Sequence, residues 1–381
     1  MKRREAHPYW LWEAMMGSPA LLRSYLSGTE VDKVQSVVDE IFSRGIERFY
    51  LAGTGSSRFA GMVVRDAFRD IADVEAQVMN TMELGAYPPL ELDEKSVVVF
   101  TSHSGDTPGD EQVIRQVQGS GAWTVGITNH EDSTLARTVD RVLSGPDTPM
   151  LRMRLTRSYP GNIFRGIQMA IEVAHRSRRS GKAESVEEKL NRIPDQLEKV
   201  MLDYEPRAKD IAERLLGHHA YLVIGSGPNL ATAEEIALGF YQGTGVGSRP
   251  LLVEEFLHGS IQALTEHMAV VAVAAPGPLQ GRILDAMYAV QRIGATTVLL
   301  APEGTPNLAD CTVPIPMPND TLELLTPLTY MGPPWLIGYY FSILTGRDPD
   351  YMEMTDEAHQ QALGLLMPAG SQFDRWSGRI P

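Results

Sequence analysis

Glycine and hydroxyl residues concentrate at two places, Gly53-Thr54-Gly55-Ser56-Ser57 and Thr101-Ser102-His103-Ser104-Gly105-Asp106-Thr107. Each follows a short apolar run, Arg48-Phe49-Tyr50-Leu51 and Ser96-Val97-Val98-Val99-Phe100, and each leads into a helical pattern. Two such turns at the carboxyl ends of neighbouring strands would aim backbone N–H groups, hydroxyls and positive helix ends at one anion. Neither turn has the lysine of a P-loop, and the first lacks the last glycine of the dinucleotide motif GxGxxG. The pair therefore reads as a pocket for the charged end of a small molecule.

The elements that must position these turns alternate between strand and helix. Strands are expected at Phe49–Ala52, Val74–Met79, Val97–Thr101, Thr124–Thr128 and Arg141–Leu143, with helices at Phe59–Ala67, Asp110–Val117 and Ile163–His175. Residues 9–45 carry helical spacing, and the Trp10/Trp12 and Met15/Met16 stripe suggests a helix packed against a partner subunit. A charged stretch at 176–192 suggests a solvated linker before a helix over Val186–Met201. The pattern then recurs: strand Ala220–Ile224, the turn Gly225-Ser226-Gly227-Pro228-Asn229, helix Ala231–Phe240, strand Ala269–Ala275, helix Ile283–Ile293 and strand Thr297–Leu300. Tyr221-Leu222-Val223-Ile224-Gly225-Ser226-Gly227 echoes Phe49-Tyr50-Leu51-Ala52-Gly53-Thr54-Gly55, which implies two similar α/β domains built on parallel sheets. The expected division is an N-terminal helical segment 1–32, a first domain 33–180, a linker helix 181–205, a second domain 206–346 and a tail 347–381.

Bulk properties narrow the class. At 381 residues with 43% hydrophobic and 22% charged residues, the chain is globular and too long for one ordinary core. Its formal charge of −14 argues against nucleic acid or an anionic membrane as partner. No apolar run has the length of a transmembrane span, and the one cysteine, Cys311, fits a reducing cytoplasm. The histidines are scattered, and His218-His219 would point to opposite sides of a strand, so no metal site and no cofactor are expected.

The turn GTGSSRFAG, the run SHSGDT, the segment Gly126-Ile127-Thr128-Asn129 with Ser133-Thr134-Leu135-Ala136, and EEFLHG at 254–259 resemble sugar isomerase (SIS) domain proteins. More narrowly, the order of motifs over residues 35–345 resembles the two-SIS-domain group. That group includes the isomerase half of glucosamine-6-phosphate synthase, tagatose-6-phosphate/aminosugar isomerase-deaminases and fructosamine-6-phosphate deglycases. The resemblance implies a phosphate cradle of Ser57, with Gly55 and Ser56 beside it, and of Ser102, His103, Ser104 and Thr107. In the family, a residue such as Gln often stands where His103 does. It also matches Glu83 to a glutamate common in the third-strand region and Thr156-Arg157-Ser158-Tyr159 to the opening of the first domain's last helix. His258 matches the family's ring-opening histidine, which commonly reaches a neighbouring subunit's site.

The family glutamate that moves a proton between C1 and C2 falls at Gln242, which cannot ionise, whereas Glu235 is retained. Glu255, or Glu254 beside it, then stands as the carboxylate nearest His258, and Gln242 as a substrate contact. Of the cationic residues Arg152, Arg154 and Arg157, Arg157 is expected to meet a second negative group. The family's C-terminal lysine has no counterpart, since Asp348-Pro349-Asp350-Tyr351-Met352-Glu353 is acidic. These readings imply aldose–ketose isomerisation of a hexose with an anionic C6 terminus, phosphate or sulfonate. The chemistry asks for a histidine near neutral pKa and a partly desolvated carboxylate. A deglycase or aminosugar deaminase is the nearest alternative, and a non-catalytic sugar-phosphate binder the alternative of another class. A homodimer with its site shared between subunits is expected.

Overall fold

The computed structural model describes residues 4–145, 157–178, 180–351 and 356–366. The chain divides into two compact units. One runs from Ala20 to Asn191 and includes the described residues from Asp350 onward; the other comprises residues up to Pro19 and Arg192–Pro349. The N-terminal helices therefore do not form a segment of their own.

Five strands build the first sheet: β1 Arg48–Gly53, β2 Ala76–Asn80, β3 Ser96–Thr101, β4 Trp123–Thr128 and β5 Arg141–Ser144. Their order is β2-β1-β3-β4-β5, all parallel. Nearly every side chain of β1, β3 and β4 is buried, on both faces, as helices on each side of a parallel sheet require. The helix Ser56–Ala72 packs on the long helix Ser158–Arg176, where the absence of a side chain at Gly166 admits Val64.

The second sheet comprises β6 Ala220–Ile224, β7 Ser248–Leu251, β8 Met268–Val273, β9 Thr296–Pro302 and β10 Val313–Met317. Its order, β7-β6-β8-β9-β10, repeats the first once the strands are matched in sequence. In both sheets the winding reverses between the first strand and the third, which opens a crevice at the strands' carboxyl ends. The helix Gly332–Leu344 is apolar nearly all round and packs on the helices Ile193–Leu215 and Asn229–Thr244, the behaviour of a central helix.

Four sequence expectations need correction. The charged stretch after Arg176 is not a linker, because Ser180–Leu190 is helical and its Ala183 and Leu190 are buried. The helix expected over Val186–Met201 is two, broken at Asn191-Arg192. Of the Trp10/Trp12 and Met15/Met16 stripe, Met15 is buried within this chain, with Leu11 and Ala14, where the helix Trp10–Met16 packs on Gly332–Leu344, while Trp10, Trp12 and Met16 stay partly exposed. His218 and His219 precede β6 instead of lying in it, and both ring nitrogens of His218 are engaged, by the Leu215 carbonyl at 2.9 Å and the Thr296 hydroxyl at 2.8 Å. Among the described residues, no helix is long and apolar enough to cross a membrane.

Candidate functional site

Gly53 ends β1 and stands opposite Thr101, the last residue of β3, so the two hydroxyl-rich turns leave adjacent strands at the same end of the sheet. A Cβ on Gly53 would lie 2.9 Å from the Ser57 carbonyl carbon, so only glycine lets the chain fold back this tightly. Gly55 adopts φ +57°, the left-handed conformation open to glycine, and directs the chain into the helix Ser56–Ala72. Thr54, Ser56 and Ser57 remain at least partly exposed at that helix N-terminus. Asn80, at the end of β2, donates to the Thr54 hydroxyl at 3.4 Å and caps the next helix.

The second turn is more rigid. Ser102, His103 and Ser104 are buried. The Gly105 N–H donates to Ser102 Oγ at 3.1 Å, the Asp106 N–H donates to Ser104 Oγ at 3.2 Å, and Ser102 Oγ lies 3.1 Å from Thr107 Oγ1. Gly105 has φ +64° and is wedged so closely that a Cβ would stand 2.2 Å from Ser133 Oγ. The His103 carbonyl accepts from Thr128 Oγ1 at 3.1 Å, while its ring lies 3.4 Å from Asn129 Nδ2 and edge-on to His130. The hydroxyls are thus held by backbone and neighbours before any ligand arrives.

Asp110, at the start of the helix Asp110–Gly119, carries no signal of its own in the sequence, where it looks like an ordinary acidic residue in a first helical turn. It is buried, one carboxyl oxygen has no hydrogen-bond partner, and burial pushes its pKa up to about 7 despite a hydrogen bond from Thr107. A hydrogen-bonded series therefore runs from Asp110 through Thr107 to Ser102. Below pH 7 that carboxyl is largely neutral and spares an incoming anion the repulsion of a carboxylate.

Arg157 precedes the helix Ser158–Arg176, and its buried Nε has no partner. Burial lowers its pKa, opposed by Tyr25. The Tyr25 hydroxyl lies 2.5 Å, and Asn129 Oδ1 3.2 Å, from where a Gly145 Cβ would be, so Tyr25 and Asn129 meet at Gly145, behind His103. Arg165 stacks over the same tyrosine and is paired with Glu30, and burial pushes its pKa down to about 10. Arg152, Arg154 and Thr156 lie outside the described residues. Glu83 is exposed, its N–H capped by Asn80.

In the second unit, Glu254 and Glu255 open the short helix Val253–Leu257, and His258 closes it. Glu254 is held by Arg282 through contacts of 2.6 and 3.2 Å, which lower its pKa, and lies 3.6 Å from His258 Nε2. Glu254 is therefore a poor proton acceptor, committed to a guanidinium. Glu255 is exposed and makes no ion pair among the described residues, and His258 is 80% exposed. On the helix Asn229–Thr244, Gln242 is partly exposed and Glu235 is buried. Among the described residues, no three His, Cys, Asp or Glu side chains cluster as a metal would need.

Comparison with known proteins agrees with this architecture. Residues 44–160 match the SIS domain family. Relatives include the glutamine–fructose-6-phosphate aminotransferases of Thermus thermophilus and Symbiobacterium thermophilum. The first is 25% identical over 90% of this chain and 57% of its own, and the second 27% over 81% and 50%. The chain thus spans about half the length of these relatives. Among solved structures, the C-terminal domain of glucosamine-fructose-6-phosphate aminotransferase from Francisella tularensis superimposes with a TM-score of 0.82 at 17% identity, covering 92% of this chain and 99% of that one. Tagatose-6-phosphate ketose/aldose isomerase from Escherichia coli gives 0.78 at 17%, covering 92% and 96%. Residues 44–160, which build the first sheet, thus match the SIS domain family, the second sheet repeats the strand order of the first, and the chain as a whole has the fold of these two solved structures.

Proposed function

We propose that the protein is a sugar-phosphate isomerase, which binds the anionic C6 end of an open-chain hexose at the turns after β1 and β3 and moves a proton between C1 and C2. The observation that carries this reading is the pre-ordered second turn, whose Ser102 and Thr107 hydroxyls stand 3.1 Å apart at the switch point of the sheet. Gly55, Ser56 and Ser57 supply the other wall, and His103 and Arg157 add donors. Fixing the anion places C1 and C2, and that remote binding energy supports the chemistry.

Glu255 is the base and His258 the ring-opening acid–base, since Gln242 cannot ionise and Glu254 is tied to Arg282. An exposed carboxylate is a weak base until water is removed from it. The exposure of Glu255 and His258 in the single chain therefore favours a homodimer whose partner subunit closes over them. Gln242 contacts the sugar and is not the proton carrier.

The test is incubation in D₂O with hexose 6-phosphates, 6-sulfohexoses and fructosamine 6-phosphates, followed by NMR. Deuterium entering at C2 without amine release is the expected result, and the preferred anion identifies phosphate or sulfonate. Amine release would instead make the protein a deglycase or deaminase. Tight binding with neither would leave a sugar-phosphate binder and refute the enzyme.

A further inference from the structure

The second unit rebuilds the first unit's glycine turn and then fills it. Gly227 has φ +56°, against +57° at Gly55, and each stands two residues beyond a strand-end glycine. A Cβ on Gly225 would lie 2.1 Å from the Asn229 carbonyl oxygen, so this turn is as tight as the one at Gly53. It opens onto the N-terminus of the sixteen-residue helix Asn229–Thr244. The strand order sets it beside the loop that follows β8, at the second sheet's switch point. Ser226, in the turn itself, is 4% exposed, and its hydroxyl has no hydrogen-bond partner.

What occupies this place is a carboxylate of the chain. Glu323 follows β10, and its Oε1 lies 2.2 Å from where a Gly277 Cβ would be and 3.4 Å from where a Gly227 Cβ would be. Gly277 leaves the space that the carboxylate takes, and Gly227 stands at van der Waals distance from it. The Glu323 carbonyl accepts from Thr326 Oγ1 at 2.6 Å, and that hydroxyl accepts from Asn229 Nδ2 at 2.8 Å, so the turn bearing Glu323 is fastened to the first residue of that helix. A negative group at the positive end of a helix is the arrangement an anion site supplies.

We propose that the turn pair after β6 and β8 is a second oxyanion site, for a phosphate or carboxylate group, kept filled by the chain's own Glu323. Removing that side chain opens the site to an external anion, while the native chain takes none there. This concerns a different place from the proposed active site and does not depend on the reaction.

The test is calorimetric titration of inorganic phosphate into the full chain and its Glu323→Ala variant, with melting curves on each. Glu323→Ala is expected to bind one more phosphate per chain than its parent and to melt higher with added phosphate. Adding Ser226→Ala should weaken the new site by about tenfold, the loss of one hydrogen bond to a charged group. Glu323→Gln, which keeps the space filled, should gain no site. An unchanged stoichiometry in folded Glu323→Ala overturns the proposal. Should Glu323→Ala fail to fold alone, phosphate is expected to restore folding, and refolding indifferent to phosphate overturns it equally. The extra site is counted against whatever the parent binds. Failure of the first-unit cradle would therefore appear as zero sites in the parent and one in Glu323→Ala.

Discussion

Replacing Asp110 by asparagine should free the protein's stability of one pH dependence between about pH 4 and 7. Asp110 is 6% exposed, and burial raises its carboxyl from the ordinary 3.8 to about 7. Below pH 4 the group is neutral whether the chain is folded or not. Between pH 4 and 7 the unfolded chain ionises it and the folded chain does not, so each unit costs the native state about 1.4 kcal/mol. The stability contributed by the neutral, buried carboxyl is thus complete below pH 4 and is gone once the pH has passed through 7. The loss sums to about 4 kcal/mol, an upper figure, since any opening that admits water reduces it. Asparagine is neutral throughout. The wild-type minus Asp110→Asn difference in unfolding free energy, measured by urea denaturation from pH 4.5 to 8, should therefore shift toward the variant by about 2–4 kcal/mol, while groups common to both proteins cancel. A difference that stays constant across this range would show that Asp110 is not a buried, neutral carboxyl and would remove it from the series through Thr107 to Ser102.

Other substitutions separate positions that look alike in sequence. Gly105→Ala should destabilise the fold by more than about 1 kcal/mol in chemical denaturation, because φ +64° is strained for alanine and its Cβ would meet Ser133. Glu30→Gln leaves the Arg165 guanidinium buried without its carboxylate and should cost about 3–5 kcal/mol in the same assay. Glu254→Gln breaks an ion pair that is half exposed on both sides, so it should leave the urea unfolding midpoint nearly unchanged and C2-deuterium exchange within a few fold. Glu255→Gln should abolish that exchange while phosphate binding survives, and persistence of exchange would place the base elsewhere.

Much of the fold was legible because its central strands are unbroken apolar runs. Ser96-Val97-Val98-Val99-Phe100 and Tyr221-Leu222-Val223-Ile224 can only be buried on both faces, and each ends in a glycine or hydroxyl turn. The edges were harder. β10 contains Pro314 and Pro316, whose side chains face outward, and an edge strand tolerates the missing N–H groups that would exclude proline from a centre. Pro333-Pro334 similarly disguised the start of the helix Gly332–Leu344, although proline is well suited to a first helical turn. The anion turns were visible because glycine and hydroxyl spacing is local. Asp110 and Glu323 were not, because burial and contacts across the fold, from residues that carry no local signature, give each its character. Glu254 and Glu255 are adjacent and identical in type, and only the contact with Arg282 from a distant helix distinguishes them.

Under the proposed function, the carboxyl end of the first sheet holds the anionic end of a sugar. Titration of fructose 6-phosphate, and of fructose as the uncharged control, into the wild-type chain and a Ser102→Ala/Thr107→Val variant puts this to the test. Each hydrogen bond to a charged group is worth about 1.5–3 kcal/mol, so the variant should bind the phosphate ester at least a hundredfold more weakly, and fructose should bind neither protein measurably. Equal affinity of the two proteins for fructose 6-phosphate, or equal affinity of the wild type for the ester and the free sugar, would contradict it.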